Sequence, residues 1–385
     1  MSDEKTHKHR HTHTHTHTHT HSESRNAAIE NTLMLLRIKL ISIIKQQWQI
    51  RGWLAFFLWP LSFLTLGYIW INSRLYKARI RLSTRFNKPI VIVVGNVVVG
   101  GAGKTPVVIE LIKYLNASGR IVGVISRGYG RTVPGGGNLH QETLEVTQNS
   151  PSSLVGDEPK LIQHLTGVPV FVGDKRTLTA RALIEKYPNT DIIISDDGLQ
   201  HNALGRDINI IVFDNSGLGN GLLLPAGPLR EPWPLMYSNA KTQIVLSTNQ
   251  GNAPEGYKVS RSLSDFAINK YGEKLDLRES ISMRIHALAG IARPEVFFEM
   301  LVDKGLSLSE TTLLEDHATF NEKAFNLYEG ASQTGGEIDT VFLCTEKDAI
   351  KIWEFNPNVW AVPLICSLDA KFTDEIEEAL VQLAL

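Results

Sequence analysis

The sequence has few cysteines, and neither is placed for cross-linking or for catalysis. Only Cys344 and Cys366 occur in 385 residues, and each lies within an apolar run. Small secreted proteins that depend on disulfides carry many more, so the sequence excludes that class. We expect each thiol to be a small core residue. Nothing in the cysteine content requires an oxidising compartment, and a cytosolic body fits.

The chain also lacks an excess of charge of either sign, because its formal net charge is −1. That balance conceals two unlike regions. Residues 1–88 hold 14 Lys and Arg against 4 Asp and Glu, whereas the remainder holds 25 against 36. A basic, apolar N-terminal region joined to an acidic body favours attraction to anionic lipid over nucleic acid. We therefore expect membrane lipid as a partner and no nucleic acid.

Charge is absent altogether from Gly52 to Ser73, a run of 22 residues with three tryptophans. At about 1.5 Å per residue this run could cross a hydrocarbon core of about 30 Å, although Pro60 would kink it. Residues 27–50 precede it with Leu and Ile at helical spacing, which is typical of a helix lying on a membrane surface. The sequence predicts a membrane anchor and leaves open whether it spans the bilayer or dips into it.

Histidine and threonine alternate over residues 7–21, which include eight histidines. This composition offers no apolar side chains for a core, so we expect residues 1–26 to form a disordered tail. Binding of a transition metal is the alternative for such a His-rich tract. Because the tail precedes every apolar segment, a cleavable signal peptide is not expected.

From Pro89 onward, short apolar strands alternate with helices and glycine-containing loops. This alternation predicts an α/β fold with a mostly parallel sheet covered on both faces, as in P-loop NTPases. A second, smaller α/β block begins near Met283. The predicted division is a tail at 1–26, amphipathic and membrane-anchor helices at 27–88, a P-loop domain at 89–249, a linker at 250–282 and a C-terminal α/β domain at 283–385.

The most specific motif follows the first predicted strand, Pro89–Val94. It is a glycine-rich loop that leads into a predicted helix, and its candidate binding residues are Gly100, Gly101, Gly103, Lys104 and Thr105. Backbone N–H groups of such a loop and the positive end of the helix face a phosphate anion. Lys104 would reach the β- and γ-phosphates, and the Thr105 hydroxyl would help to hold Mg²⁺. Val98 replaces the usual first glycine of the motif.

Two carboxylates, Asp196 and Asp197, directly follow the apolar segment Asp191–Ser195. A parallel strand beside the phosphate loop delivers such a carboxylate to the metal at its carboxyl end. We therefore expect the pair to bind Mg²⁺ or to position water. Acidic residues of an ordinary turn are the alternative.

Two arginine-containing loops and two acidic motifs complete the candidate clusters. The arginine loops are 126–131 and 227–231, and both suit bidentate contact with phosphate. Asp157 lies in a Gly-Asp-Glu-Pro motif, and His317 follows Asp316 in the second block. An aspartate held near a histidine can accept a proton from an attacking hydroxyl. Spacing alone does not show that these two motifs meet.

Together these motifs resemble the tetraacyldisaccharide 4′-kinase family, the lipid A 4′-kinases of Gram-negative bacteria. The motifs run in family order from Gly95 to Asp348, and as a set they are not shared by P-loop proteins at large. The segments that carry the resemblance are 95–97 with 100–106, 126–130, 155–159, 195–201, 227–231, 290–294, 316–317 and 345–348.

The resemblance implies transfer of the ATP γ-phosphoryl group to the 4′-hydroxyl of a tetraacylated glucosamine disaccharide 1-phosphate. The reaction would take place at the cytoplasmic face of the inner membrane, with ATP and Mg²⁺ as cofactors. The resemblance implies Asp157 and His317 as the catalytic base pair, and it places Arg230 near the phosphates. The paired carboxylates of the family map to Asp196 and Asp197, and Glu158 is a further predicted metal ligand.

The residues by themselves leave two other classes open. One is a membrane-associated GTPase or metal-insertion NTPase, although the segment 345–348 places its Lys and Asp side by side, unlike the usual guanine-selective run. The other is a non-enzymatic membrane adaptor that binds nucleotide as a switch. An acylated substrate favours a kinase that comes to the membrane, since each exposed methylene costs about 0.8 kcal/mol.

Overall fold

The computed structural model describes residues 43–44, 46–101, 103–131, 143–248, 251–279, 283–314 and 340–384. The predicted tail at 1–26, most of the amphipathic segment 27–50 and the candidate base His317 lie outside these residues. Two sheets, one of nine strands and one of six, organise the described residues. The α/β fold predicted from the alternation of strands and helices is confirmed.

Helices and strands alternate through most of the described chain. The helices are α1 (Trp53–Lys77), α2 (Lys104–Ala117), α3 (Ser152–Val155), α4 (Asp157–Thr166), α5 (Arg176–Lys186), α6 (Pro294–Asp303), α7 (Glu346–Ile352) and α8 (Ala370–Ala384). The strands are β1 (Ile90–Gly95), β2 (Val122–Ser126), β3 (Leu144–Val146), β4 (Val170–Val172), β5 (Ile192–Asp196), β6 (Ile208–Phe213), β7 (Thr242–Ser247), β8 (Tyr257–Leu263), β9 (Phe266–Ile268), β10 (Lys274–Asp276), β11 (Arg284–Ala289), β12 (Leu308–Leu313), β13 (Thr340–Thr345), β14 (Trp360–Val362) and β15 (Leu364–Leu368).

The nine-stranded sheet has the order β15-β8-β7-β6-β1-β5-β2-β4-β3, and only its two edge pairs are antiparallel. β1 lies in the middle with β5 and β6 as parallel neighbours. Because side chains alternate along a strand, Ile92 and Val94 pack into the core cluster that contains α2 and α8. Val91 and Val93 pack into the opposite cluster with Leu183 of α5. Burial on both faces explains why these strands read as continuous apolar runs.

The six-stranded sheet has the order β10-β9-β14-β13-β11-β12. Its four strands from β14 to β12 are parallel, and β9 and β10 add an antiparallel edge. Phe297 and Leu301 of α6 pack in the core on one face of this sheet. Ala349 and Ile352 of α7 pack in a separate cluster with Cys344. This second layer gives α7 a fixed position, from which it faces the larger sheet.

Residues 250–282, predicted as a linker, contribute strands to both sheets. β8 extends the nine-stranded sheet beyond β7, whereas β9 and β10 belong to the six-stranded one. The chain then returns, because β15 pairs with β8 and α8 packs on α2 with Phe372 fully buried. Residues 364–384 of the predicted C-terminal domain therefore lie with the larger sheet. A single residue, Pro363, separates β14 from β15, so the sequence gives little indication that the chain changes sheets there.

Helix α1 is apolar enough and long enough to cross a membrane, with a mean hydropathy of 1.8 over 18 residues. Pro60 lies inside this helix. Its buried residues are Ala55, Ser62 and Ser73, and most of its large apolar side chains are exposed. The exposed fraction is 78% for Trp53 and 77% for Phe56. A helix of a soluble core would bury such side chains, so α1 presents an apolar surface that another medium must cover.

Candidate active site

The phosphate loop joins the carboxyl end of β1 to the amino end of α2, which begins at Lys104. Gly103 has a φ of 66°, a left-handed conformation that glycine adopts without a steric penalty. A Cβ at this position would overlap the guanidinium of Arg261, which donates a hydrogen bond to the Gly103 carbonyl at 3.3 Å. The left-handed backbone conformation therefore favours glycine here, and a Cβ would also displace the flexible end of the Arg261 side chain.

Lys104 and Arg230 converge on one carboxylate. The Nζ atom of Lys104 lies 3.2 Å from Asp197 Oδ1 and 3.2 Å from Asn96 Oδ1. The Nη1 atom of Arg230 lies 3.6 Å from Asp197 Oδ2. Burial raises the pKa of Asp197, but Lys104 and then Arg230 outweigh it, so the net pKa lies below its usual value. The two cations are therefore gathered at the end of the phosphate loop.

Asp196 is the last residue of β5 and is almost fully buried. Burial, followed by the nearby carboxylates of Glu158 and Asp197, raises its pKa to about 7. Its backbone carbonyl accepts a hydrogen bond from Arg176 at 3.3 Å. The next residue, Asp197, has a φ of 50°, which is uncommon outside glycine. The chain therefore turns sharply between two carboxylates at the edge of the sheet beside the phosphate loop.

This donor set fits Mg²⁺. The Oδ1 atom of Asp196 is buried and accepts no hydrogen bond from the described residues. The described part of the chain has no group of three or more His, Cys, Asp or Glu arranged to hold a metal. Mg²⁺ usually takes only one or two carboxylates together with phosphate oxygens and waters. Thr105 directly follows Lys104 in the first turn of α2, whereas Glu158 is held 3.7 Å from Lys347.

The Gly-Asp-Glu-Pro motif forms the start of α4. Gly156 has a φ of 92°, and a Cβ there would lie 3.0 Å from the Tyr129 carbonyl oxygen, so the motif abuts the first arginine loop. Asp157 and Glu158 occupy the first turn of α4, where carboxylates favour the positive end of the helix. The Oδ2 atom of Asp157 lies 2.8 Å from the Nζ atom of Lys351 on α7. This side of the site therefore depends on a helix of the second sheet.

The first arginine loop, 126–131, follows β2. Arg127 and Arg131 lie 3.7 and 3.4 Å from the same carboxylate, that of Asp174. Arg176, at the start of α5, is almost fully buried, and burial lowers the pKa of its guanidinium to about 10. It donates to the carbonyls of Gly173 and Asp196 at 2.9 and 3.3 Å. Arg127, Arg131 and Arg176 thus place positive charge between the loop after β2 and the end of β5.

The structure brings together some of the predicted residues and adds others. Lys104 at the start of α2 meets Asp197 and Arg230 although the three residues are far apart in sequence, and His317 lies outside the described residues. Sequence reasoning missed Asn96, Arg176 and Lys351. A polar residue directly after the central strand was a usable signal for Asn96. Lys351 offered none, because a lysine on a short helix is commonly solvated.

A glycine-rich loop between β1 and α2, a buried lysine at its end and a pair of carboxylates at the end of the adjacent strand define a P-loop nucleotide-binding protein. The second sheet supplies α7 to the same site. The class is therefore a P-loop protein in which a helix of a second α/β layer packs beside the layer that carries the phosphate loop.

Comparison with known proteins narrows this class. The model of the family described as tetraacyldisaccharide-1-P 4′-kinase, LpxK, matches residues 54–382. The tetraacyldisaccharide 4′-kinase of Polaromonas naphthalenivorans (strain CJ2) is 45% identical over 345 residues, which cover 89% of this chain and 95% of that protein. The relative of the same name in Methylobacillus flagellatus is 39% identical and covers 88% and 97%. A crystal structure of LpxK from Aquifex aeolicus in complex with ATP has a TM-score of 0.69 and 25% identity, covering 86% of this chain and 99% of that one.

The chain belongs to the tetraacyldisaccharide 4′-kinase family. It is an ATP-dependent kinase of lipid A biosynthesis that uses ATP with Mg²⁺ and acts on a lipid disaccharide 1-phosphate. These matches do not support a GTPase, a metal-insertion NTPase or a nucleotide-switched adaptor. The resemblance seen in the sequence motifs is confirmed.

Proposed function

We propose that two sides of this site divide the reaction between them, with the donor on the phosphate loop and the acceptor beside α4. The observation that carries the proposal is the convergence of Lys104 and Arg230 on Asp197, at the carboxyl ends of β1 and β5. Cations gathered at this point suit the γ-phosphate, whose charge must be neutralised during transfer.

On the donor side, the N–H groups of Gly100, Gly101 and Gly103 and the start of α2 would hold the phosphates of ATP. Lys104 and Arg230 would contact its terminal phosphates, which replace Asp197 as their partner. Thr105, Asp196 and Asp197 would hold Mg²⁺, and Glu158 is a further predicted ligand. When bound, Mg²⁺ supplies charge neutralisation between the β- and γ-phosphates.

On the acceptor side, Asp157 and His317 are the proposed base pair. The 4′-hydroxyl must lose a proton as its oxygen bonds to phosphorus and ADP leaves, and an Asp–His pair can accept that proton. Asp157 is held at the first turn of α4, within one residue of Glu158, whose carboxylate is near enough to raise the pKa of Asp196. Support for the pairing with His317 comes from the family resemblance, and Lys351 is the partner of Asp157 among the described residues.

The placement of α1 supports attachment to a membrane surface without crossing it. Before the helix, Trp48 Nε1 donates to the Pro225 carbonyl at 3.0 Å. At its end, Tyr76 stacks on Tyr237 at 6.3 Å, and beyond it the Thr84 N–H donates to the Ala203 carbonyl at 2.8 Å. A helix with both ends docked on the same body lies in the plane of the interface. We propose that α1 attaches the protein to membrane lipid at the cytoplasmic face of the inner membrane, where ATP is available, with no role for nucleic acid.

The test is phosphoryl transfer from γ-labelled ATP to a tetraacyl disaccharide 1-phosphate in mixed micelles with Mg²⁺. Label on the 4′ position is expected with the unaltered protein. Asp157→Asn and His317→Ala should each lower turnover by about 10²- to 10⁴-fold, the usual contribution of general base catalysis, while ATP affinity changes little. Asp303→Asn, at the exposed end of α6, is a matched control and should transfer label normally.

Two outcomes would contradict the assignments separately. Full turnover by Asp157→Asn would remove the base role and leave the donor site untouched. Label on a position other than the 4′-hydroxyl would overturn the proposed orientation of the acceptor.

For the membrane proposal, the protein is mixed with vesicles that contain anionic lipid, and protease is added outside. Protection of residues 43–52 inside the vesicle would show that α1 crosses the bilayer.

A further inference from the structure

The apolar helix and the phosphate loop are connected by a single loop. We call residues 220–230 the Arg230 loop. One side of it is hydrogen-bonded to the phosphate loop: the Arg230 N–H donates to the Val97 carbonyl at 2.7 Å, and the Val99 N–H donates to the Pro228 carbonyl at 2.8 Å. Movement of the Arg230 loop therefore displaces both Arg230 and the start of the phosphate loop.

The other side of the Arg230 loop is bound by α1 through side-chain hydroxyls. Ser62 is buried, and its hydroxyl donates to the Leu223 carbonyl at 2.8 Å and accepts from the Ala226 N–H at 3.3 Å. Thr65, one turn further on, donates to the Leu224 carbonyl at 2.8 Å. Ser62 thus bridges both ends of the turn at 223–226, which leads directly into the strand-like segment beside Val98.

The outward face of α1 is the surface that a bilayer would cover, whereas its inward face holds the Arg230 loop. In water, Trp53, Phe56 and Leu64 are exposed on this helix. Insertion of these side chains into lipid would restrain the helix and, through Ser62 and Thr65, the loop. A loop ordered in advance costs less entropy when Arg230 closes on a phosphate, so ATP would bind more tightly.

We propose that Ser62 is a positioning residue for the phosphate site and that contact of α1 with a lipid bilayer tightens ATP binding through the Arg230 loop. The inference rests on the proposed contact between Arg230 and the phosphates of ATP, and it does not depend on the acceptor. It assigns the helix a part in the donor site in addition to attachment. The kinase would then bind ATP best where its acylated substrate lies.

The experiment measures the dissociation constant of Mg²⁺-ATP by calorimetry, with and without vesicles of phosphatidylethanolamine and phosphatidylglycerol and with no acceptor. For the unaltered protein we expect vesicles to tighten ATP binding about fivefold, at the lower end of measured coupling between sites. Ser62→Ala should bind the vesicles but show no tightening. Ser73→Ala is the matched control, because Ser73 is equally buried on α1 but its hydroxyl donates only to the Trp70 carbonyl of the same helix.

Amide hydrogen exchange is a second measurement, and it distinguishes a local effect on the Arg230 loop from a general loss of stability. Vesicles should slow amide exchange over residues 222–230 in the unaltered protein and in Ser73→Ala, and not in Ser62→Ala. If Ser62→Ala does not fold, Thr65→Val removes the neighbouring hydroxyl with little change of shape and should lose most of the tightening. Equal tightening in Ser62→Ala and Ser73→Ala would overturn the proposal. So would an unchanged ATP affinity when the unaltered protein is vesicle-bound, even if phosphoryl transfer to the sugar is found.

Discussion

The proposed donor side and the proposed acceptor side of the site are built in different ways. On the donor side, Lys104 at the start of α2 meets Asp197 and Arg230, which lie in two loops at the edge of one sheet. On the acceptor side, Asp157 of α4 meets Lys351 of α7, which belongs to the second sheet. The donor side is thus complete within one layer, whereas the acceptor side exists only where two layers meet.

This difference has a physical consequence. Adjacent parallel strands place their carboxyl ends at one edge, so the geometry of the donor side follows from strand register, in which Val94 is paired with Asp196. The geometry of the acceptor side depends on how α7 packs against α4. Changes to the donor side should therefore alter chemistry with the fold intact, and changes to the acceptor side should first alter stability.

The largest effect is expected at Lys104. Lys104→Met removes the cation proposed to face the γ-phosphate, and loss of one such contact should lower turnover by about 10³-fold. Steady-state transfer of γ-labelled phosphate measures it. Lys113→Met is the control, because Lys113 lies on the same helix and is paired with Glu110 on its exposed face. Thermal unfolding should show that Lys104→Met retains its fold; normal turnover would mean that the donor site lies elsewhere.

The donor side was also the part most accessible from sequence. The glycine loop, Lys104 and the carboxylates after an apolar run follow from local patterns, and the parallel sheet explains why they meet. The loop that contains Arg230 was a candidate phosphate contact, but its place near the phosphates was implied by the family resemblance, since no local pattern relates it to Asp197. The second layer was harder to predict, because Lys351 of α7 lies outside every motif and β15 joins the larger sheet only one residue after β14 ends. Contacts between layers depend on packing over long sequence separations, which periodicity does not encode.

On the acceptor side, we expect substitution of Lys351 to lower the stability of the protein most. Its Nζ atom lies 2.8 Å from Asp157, and both side chains are at most 10% exposed. Lys351→Met removes a cation from beside a buried carboxylate, which should lower the free energy of unfolding by about 3 kcal/mol. Lys347→Met is the matched control on the same helix, because Lys347 lies 3.7 Å from a carboxylate that is 34% exposed. Its loss should cost about 0.5 kcal/mol or less.

Urea unfolding measures the loss of stability in the two variants. Measurement of ATP affinity then shows whether the substitution at Lys351 also affects the donor side. At a temperature where Lys351→Met is still folded, Mg²⁺-ATP should bind to this variant within about twofold of the unaltered protein, since Lys351 is paired with Asp157 of α4. Equal destabilisation by the two substitutions would show that the ion pair of Lys351 with Asp157 contributes no more to stability than the pair of Lys347 with Glu158. A large loss of ATP affinity in Lys351→Met alone would show that the two sides are not independent.

The smallest expected effect is the contribution of Asp196 to the pH dependence of the unfolding free energy. Asp196 lies where the donor and acceptor sides meet. Burial, and then the carboxylate of Glu158 on α4, raise the pKa of Asp196 to about 7 from the usual aspartate value of 3.8. A raised carboxyl pKa means that the folded protein binds more protons than the unfolded chain between these two values. Asp196 therefore makes stability fall as pH rises from about 4 to about 7, at no more than about 1.4 kcal/mol per pH unit.

Asp196→Asn replaces the proton-binding group by a neutral side chain of the same shape, so it should remove this slope. In chelator, the unfolding free energy of Asp196→Asn should exceed that of the unaltered protein at pH 8 and approach it at pH 5. Glu158→Gln should reduce the slope only in part, because burial is the larger cause of the shift. Parallel pH profiles for the unaltered protein and Asp196→Asn would mean that Asp196 is already ionised when metal is absent. The carboxylates of Asp196 on β5 and Glu158 on α4 would then have no measurable effect on each other's ionisation.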